Sequence, residues 1–261
     1  MFHEPPAAID HVLRLPVWAL GLFILGVWLT VAAVIHRWLV PWLIERKGRE
    51  FGHFETEVAS QVGIAFGLLL SFNAIDVWGR VTDAQNAVMN EASALREAAD
   101  HIEQLPAEPR ARGKNLLHSH LSATVNREWP LLAPGHVPLE RPPTLRALMA
   151  FARESTNGDL IDVVAEAARA RESRVRIAAH RMLPLRWVLV FLLGAFTLLA
   201  LGLAHGSAPV ARRVAVGLSA LAIASCFAVL FAQARPFLGP LALKPHELSA
   251  LAANLASPGT R

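Results

Sequence analysis

Two polar residues, Asn73 and Asp76, interrupt the downstream end of an apolar run long enough to cross a bilayer. The run, residues 60–80, reads SQVGIAFGLLLSFNAIDVWGR. An ionised aspartate at the bilayer centre costs about 2.5 to 3.5 kcal/mol, so such residues usually face water, protein or a partner. Asp76 is therefore either a residue that lines an aqueous pore or, with Arg80 four positions on, a local ion pair at the membrane edge.

A second carboxylate, Glu91, falls on a helical packing stripe. Steps of three and four residues from Ser60 to Leu105 meet small or apolar residues, with Glu91 as the charged exception. A carboxylate at a packing position is either exposed or paired with a buried cation. An antiparallel return helix would bring three arginines alongside. We take Glu91 with Arg171 and Arg174 as structural ion-pair candidates, and Arg176 is a further possible partner.

The other polar residues form no catalytic pattern. His118 and His120 flank Ser119, but no third ligand at helical spacing and no H-E-x-x-H motif accompanies them, so we interpret them as a surface pair. No phosphate-binding G-x-x-x-x-G-K-[ST] loop and no G-x-S-x-G motif occurs. The single cysteine, Cys226, excludes an intramolecular disulfide. We expect a protein that is not an enzyme and that holds no cofactor and no metal.

Four apolar segments can place these residues in a membrane. Of 261 residues, 54% are hydrophobic and 18% charged, which is too apolar for an ordinary soluble domain. A spanning helix needs about 20 apolar residues. The predicted segments are an N-terminal tail (1–15), transmembrane helices 16–36, 58–79, 187–204 and 212–234, a helical extramembrane domain (80–186) and a C-terminal tail (235–261). The predicted fold is an all-α membrane protein with two pairs of spans and the extramembrane domain between spans 2 and 3.

The second span is predicted to continue out of the membrane as one long helix, because no proline interrupts its stripe before Pro106. Within the membrane, small residues recur every four positions at Gly63, Gly67 and Ser71, a spacing that lets helix backbones approach closely. Packing inside one chain explains these helix-packing residues, and so does self-association around a symmetry axis.

The charge distribution bears on partners and orientation. The net charge of +4 is spread over loops and helix flanks without a basic patch interleaved with aromatics, so we expect no nucleic-acid partner. The expected partners are the lipid bilayer, further copies of the chain and inorganic ions. Short basic loops favour the cytoplasmic side of a membrane. The basic loops after the first span and before the fourth would therefore lie in the cytoplasm, which places the extramembrane domain (80–186) outside the cell. The arginine-rich flank before the third span resists translocation and so favours the opposite orientation.

The order and spacing of five short motifs resemble the bestrophin-like membrane proteins of bacteria. The motifs are VGIAFGLLLSFNAIDVW, NEASALREA with Glu91, NREWPLL with Glu128 and Trp129, RESRVRIAAHRMLPLRW with Arg171 and Arg174, and RPFLGPL with Pro236, Phe237 and Gly239. Two features depart from that family's pattern. Ala234 stands where an acidic residue usually precedes the last motif. The family also usually has a tyrosine in the helix before the Glu-Trp pair, whereas this chain contains no tyrosine.

The resemblance implies a homo-oligomeric ion channel in the bacterial inner membrane, with the second span lining the pore and the helical domain in the cytoplasm. In bestrophins, apolar side chains of the second span form a constriction, and the matching residues here are Phe66, Leu69 or Leu70, and Phe72. The pore-lining candidates are Phe66, Leu70, Asn73, Asp76 and Asp83. The alternative is a non-conducting membrane scaffold or stress-sensing protein whose helical domain binds partners. A transporter is a third possibility, but the chain lacks the internal repeat or paired broken helices that would support it.

Overall fold

All regular secondary structure in the described part of the chain is helical. The computed structural model describes residues 12–47, 56–180 and 184–256, and no strand occurs among them. This confirms the predicted all-α class.

The described residues form ten α-helices and two π-helical turns, joined by turns and loops. The α-helices are α1 (Val17–Val34), α2 (Val40–Lys47), α3 (Thr56–Glu103), α4 (Ala107–Ala123), α5 (Trp129–Leu132), α6 (Pro143–Glu154), α7 (Gly158–Ala179), α8 (Pro184–Ala204), α9 (Pro209–Gln233) and α10 (His246–Ala256). The first π-helical turn, Ile35–Leu39, joins α1 to α2, and the second, Thr124–Glu128, joins α4 to α5. Proline opens α6 and α9, where its missing N–H would have had no helical partner anyway.

Four helical stretches are long and apolar enough to cross a membrane, and each overlaps one predicted span. They are Val17–Arg46, Glu57–Glu103, Leu185–Ala204 and Pro209–Gln233. α3 is a single helix of 48 residues, which is about 72 Å long at 1.5 Å per residue. The predicted continuation past Arg80 therefore extends to Glu103, three residues before Pro106.

The described residues divide into two compact units. The first lies within Met1–Trp78, Met182–Arg235 and Gly239–Leu241, and it contains the apolar stretches of α1, α8 and α9 with the first half of α3. Its core is centred on Trp28, whose ring lies 4.8 Å from the Phe191 ring and 5.1 Å from the Phe227 ring. α9 packs against both α1 and α8. In a bilayer the hydrophobic effect does not drive helices together, so they associate through close packing. Aromatic contacts of this kind stabilise such packing.

Gly194 of α8 allows Trp28 and Phe66 to pack against the helix backbone. A Cβ atom at this position would lie 2.7 Å from Trp28 Cη2 and 3.2 Å from Phe66 Cε2. We expect Gly194→Ala to lower the free energy of unfolding by about 1–3 kcal/mol because the rings must shift, measured by thermal unfolding in detergent. Gly217→Ala is the matched control, since nothing lies within 4 Å of its added methyl group. Equal melting temperatures for the two variants would contradict this packing.

The second unit lies within Gly79–Arg181, Pro236–Leu238 and Ala242–Arg261. α4 packs against α6 and α10, and α6 packs against α7. The segment predicted as a C-terminal tail contains α10, whose Leu248 and Leu251 are buried in the apolar core of this unit. Three-residue spacing places these two leucines on one face of the helix. A short amphipathic helix of this kind is easily read as a tail, because it is too short to span a membrane.

Candidate functional site

Glu91 and Arg174 form a fully buried ion pair in the second unit. Arg174 Nε donates to Glu91 Oε2 at 2.6 Å, and Arg174 Nη2 donates to Glu91 Oε1 at 3.0 Å. Both side chains are 0% exposed. The two parallel bonds match the planar guanidinium to the planar carboxylate, the strongest geometry available to such a pair. Glu91 thus occupies its packing position on α3 because an arginine of α7 neutralises it.

Glu128, at the end of the second π-helical turn, joins this pair to a second arginine. Arg171 donates to Glu128 Oε2 from Nε at 2.9 Å and from Nη2 at 2.8 Å. Arg174 Nη2 donates to Glu128 Oε1 at 2.7 Å. Burial alone raises the pKa of Glu128, but the charges and hydrogen bonds of Arg174 and Arg171 outweigh it and lower the pKa below its ordinary value. Two carboxylates and two guanidiniums therefore balance in charge.

The pKa of Arg174 is also set by opposing effects. Burial lowers it, but the charges and hydrogen bonds of Glu91 and Glu128 more than offset this, so the pKa lies above its ordinary value. The guanidinium carbon lies 5.2 Å from the centre of the Trp129 ring, a cation–π arrangement. Trp129 in turn meets Phe237 edge to face, with ring centres 5.8 Å apart. Four of the five motifs behind the resemblance thus meet in one buried cluster.

Gly239, from the same motif as Phe237, lies in the first unit at a position where the backbone conformation requires glycine. Its φ of +104° is one that L side chains rarely adopt, and an added Cβ would lie 2.8 Å from the carbonyl oxygen of Leu13. The neighbouring Pro236 accepts a hydrogen bond from Leu243 N at 2.8 Å in the second unit. Both residues therefore fix the chain path after α9.

The interpretation of His118 and His120 as a surface pair is wrong for His120. This side chain is 1% exposed, and its Nδ1 shares a hydrogen bond of 3.2 Å with Thr144 Oγ1. Residues two apart on a helix point to different sides, so only one of the two histidines can face the core. No three metal-ligating side chains come together in the described parts of the chain.

The structure places the membrane candidates on two different sides of α3. Phe66 and Asn73 are buried inside the first unit; Phe66 packs toward Gly194, and Asn73 Nδ2 donates to Leu69 O at 2.8 Å. Leu70 is partly buried against the same core. We therefore assign Phe66 and Asn73 to the core of this unit, because a side chain enclosed by its own chain has no surface to offer a pore.

Asp76 has a partner on another helix. Its Oδ2 accepts a hydrogen bond of 2.8 Å from Arg186 Nη1 of α8, and both side chains are partly exposed. Asp83 is exposed. Ion pairing at a partly exposed site explains how the membrane segment tolerates Asp76 near its end.

The helix-packing candidates also divide. A Cβ on Gly63 would lie 3.8 Å from Thr197 Cγ2 of α8, an ordinary contact, so Gly63 faces its own chain. Nothing lies within 4 Å of the corresponding position at Gly67, and Ser71 is exposed with its hydroxyl donating to Gly67 O at 2.8 Å. Packing within the chain therefore accounts for Gly63, and it leaves Gly67 and Ser71 available to a neighbour.

An exposed stripe on α3, which we call the outer face, was not recognised from the sequence. It consists of Gln61, Ile64, Leu68, Phe72 and Ile75, all of them exposed. Steps of three and four residues place them along one side of the helix. Only 17% of the most apolar window of this helix is buried inside the chain, against 28% to 33% for the other three spans. It is also the least apolar of the four.

Comparison with known proteins places the chain in a family. The family model named Bestrophin-like domain matches residues 27–248, which include the last three membrane stretches, the second part of the first, the buried cluster and most of the second unit. No curated protein and no solved structure matches the chain. Because the match covers most of the 261 residues, the chain belongs to the bestrophin-like family.

Proposed function

We propose that the chain forms a homo-oligomeric ion channel in which the outer face of α3 surrounds a central pore. The observation that carries this proposal is that the rest of the chain buries only a small part of α3. A helix that faces lipid on most of its surface is expected to be the most apolar of a set, yet α3 is the least apolar and the least covered by its own chain. Further copies of α3 around an axis would cover this surface, and the family relationship supports a channel-like role.

The outer face has the composition of a hydrophobic constriction. Ile64, Leu68 and Phe72 follow one another at four-residue spacing and are all exposed. Rings of such side chains gate pores by excluding water when the pore narrows. Asp83 lies about three turns after Phe72 on the same side of α3, so it would form an acidic ring beyond the constriction. Asp76, paired with Arg186, contributes less charge to that surface.

The proposed setting is the bacterial inner membrane with four spans. Residues 80–186, predicted as a helical domain, lie between the second and third spans in the sequence. We place them in the cytoplasm because the bestrophins that the sequence resembles keep their helical domain there, and because an arginine-rich flank precedes the third span. The protein is proposed to be a channel and not an enzyme, with inorganic ions, lipid and its own copies as partners.

Planar-bilayer recording of the purified oligomer tests the channel. We expect an ionic current, and we expect Phe72→Ala to raise it roughly tenfold, which corresponds to a barrier lower by about 1.4 kcal/mol. Phe196→Ala is the matched control, because Phe196 is an exposed phenylalanine on α8, 54% exposed against 66% for Phe72. No current from a verified oligomer under any ion gradient would rule out conduction. Equal effects of the two substitutions would rule out α3 as the pore wall.

One observation favours the alternative of a non-conducting scaffold or stress-sensing protein. Arg186 of the same chain already pairs with Asp76, the carboxylate that a pore lined by Asp76 would need to expose. In this alternative the helical unit binds partners and the outer face of α3 is sealed by contact with other helices. An assembled but non-conducting oligomer would support it.

A further inference from the structure

A cavity of about 420 Å³ lies in the second unit, between the second π-helical turn and the start of α6. This volume is within the usual range for small-molecule sites. Its wall contains four arginines and two glutamates among apolar residues, which leaves an excess of two positive charges. The arginines are Arg127, Arg141, Arg146 and Arg171.

The positive charge of this wall is only partly neutralised. Glu128 is engaged by Arg171 and Arg174, whereas Nη1 of Arg171 donates to no described residue. Within the described ranges, Arg127, Arg141 and Arg146 form no salt bridge and no side-chain hydrogen bond, and all three are exposed. Guanidinium groups in a concave wall are well suited to hold a carboxylate or phosphate by paired hydrogen bonds.

A buried hydroxyl in the same wall lacks a partner. Thr124, the first residue of the second π-helical turn, is 1% exposed, and its Oγ1 makes no hydrogen bond with the described residues. Buried hydroxyls are nearly always hydrogen-bonded, so an unsatisfied one that lines a cavity indicates a missing acceptor or donor. Single π-helical turns inside α-helical segments occur frequently at functional sites.

The start of α6 adds a further attraction for anions. Pro142 precedes the helix, and no side chain caps its first turn. Pro142, Pro143 and Thr144 all line the cavity. The N-terminal end of a helix carries partial positive charge and free N–H groups, which favour an anion there.

We infer that this cavity binds a small organic oxyanion, a carboxylate or phosphate monoester on a compact apolar body. The arginines and the Thr124 hydroxyl hold the anionic group, and the apolar part of the wall, which includes Leu131 and Val137, holds the body. Arg171 connects this site to the buried cluster through Glu128. The inference concerns the second unit alone and does not depend on conduction.

Calorimetric titration of the full chain in detergent with phenyl phosphate and with benzoate tests the site. We expect at least one probe to bind with a Kd below about 1 mM, and the neutral analogue benzamide to bind at least about tenfold more weakly. Arg146→Gln and Thr124→Val should each weaken binding of the anion about tenfold. Arg153→Gln is the matched control, because Arg153 is an exposed arginine of the same helix that does not line the cavity.

Three results would overturn the inference: no binding of either anion, equal binding of benzamide, or equal weakening by Arg146→Gln and Arg153→Gln. The same titration in nanodiscs with and without phosphatidic acid identifies the source of the oxyanion. Displacement of phenyl phosphate by the lipid assigns the site to a headgroup, and its absence assigns the site to a soluble anion; both keep an oxyanion in the cavity. Binding is read without current, so a failed channel leaves this result intact.

Discussion

Replacing Arg174 by methionine is expected to lower the free energy of unfolding by about 3–5 kcal/mol. The substitution leaves Glu91 charged, fully buried and without the two hydrogen bonds that Arg174 donates to it. Glu128 loses one of its two arginines in the same step. Urea unfolding of the full chain in detergent, followed by tryptophan fluorescence, measures the loss, since Trp129 lies against the Arg174 guanidinium.

A double substitution separates the charge effect from the loss of packing. In Glu91→Leu/Arg174→Met one charge of each sign disappears and the Glu128–Arg171 pair remains. The double variant should therefore be more stable than either single variant, because no uncompensated buried charge is left. Arg176→Met is the control: Arg176 is mostly exposed and pairs with Glu172 on its own helix, so its loss should change stability by less than about 1 kcal/mol. Additive losses in the double variant would contradict a coupled buried pair.

Much of this buried pair could be predicted from the sequence. Glu91 interrupts an apolar stripe at helical spacing, and the stripe is buried at Val88, Leu95 and Ile102. A carboxylate among such positions requires a cation, and the return helix offers three arginines. Spacing could not choose among them, because neither the rotation of α7 about its axis nor its register along α3 follows from the sequence pattern. The second carboxylate of the cluster, Glu128, was known only as part of a motif of the resemblance.

Other features could not be predicted because they depend on contacts between helices. The spacing of residues along α3 gives their angular positions, but which side the chain itself covers depends on α1 and α8. Spacing alone therefore allowed Phe66 and Asn73 to line a pore, although the core of the first unit encloses them. The cavity beside Thr124 depends on a π-helical turn, and a sequence pattern of 3.6 residues per turn carries no signal for it. The amphipathic helix α10 was not predicted, because a helix of 11 residues is too short to be recognised as a membrane span.

The second unit is expected to lose stability as the pH falls from about 6.5 to about 4. Burial lowers the pKa of His120 from 6.5 to about 4; the charges of Arg174 and Arg171 act in the same direction, and Glu128 acts against them. The folded state therefore favours neutral His120. Its contribution to stability is fully present above the unfolded pKa of 6.5 and decreases by about 1.4 kcal/mol per pH unit below it, to a total of about 3 kcal/mol.

Unfolding of the full chain at pH 7 and at pH 5 measures this effect above the pH range in which the stabilisation by Glu128 is lost. The pKa of Glu128 is lowered in the folded state, so its stabilisation is lost only as the pH falls below its ordinary value of 4.5. His120→Asn keeps a polar atom near Thr144 without the titrating ring, and it should remove most of the difference between the two pH values. His118→Asn, two residues away on α4, retains His120 and should keep that difference. A pH dependence that survives in His120→Asn would show that another group is responsible, because no titratable ring would remain at this buried position.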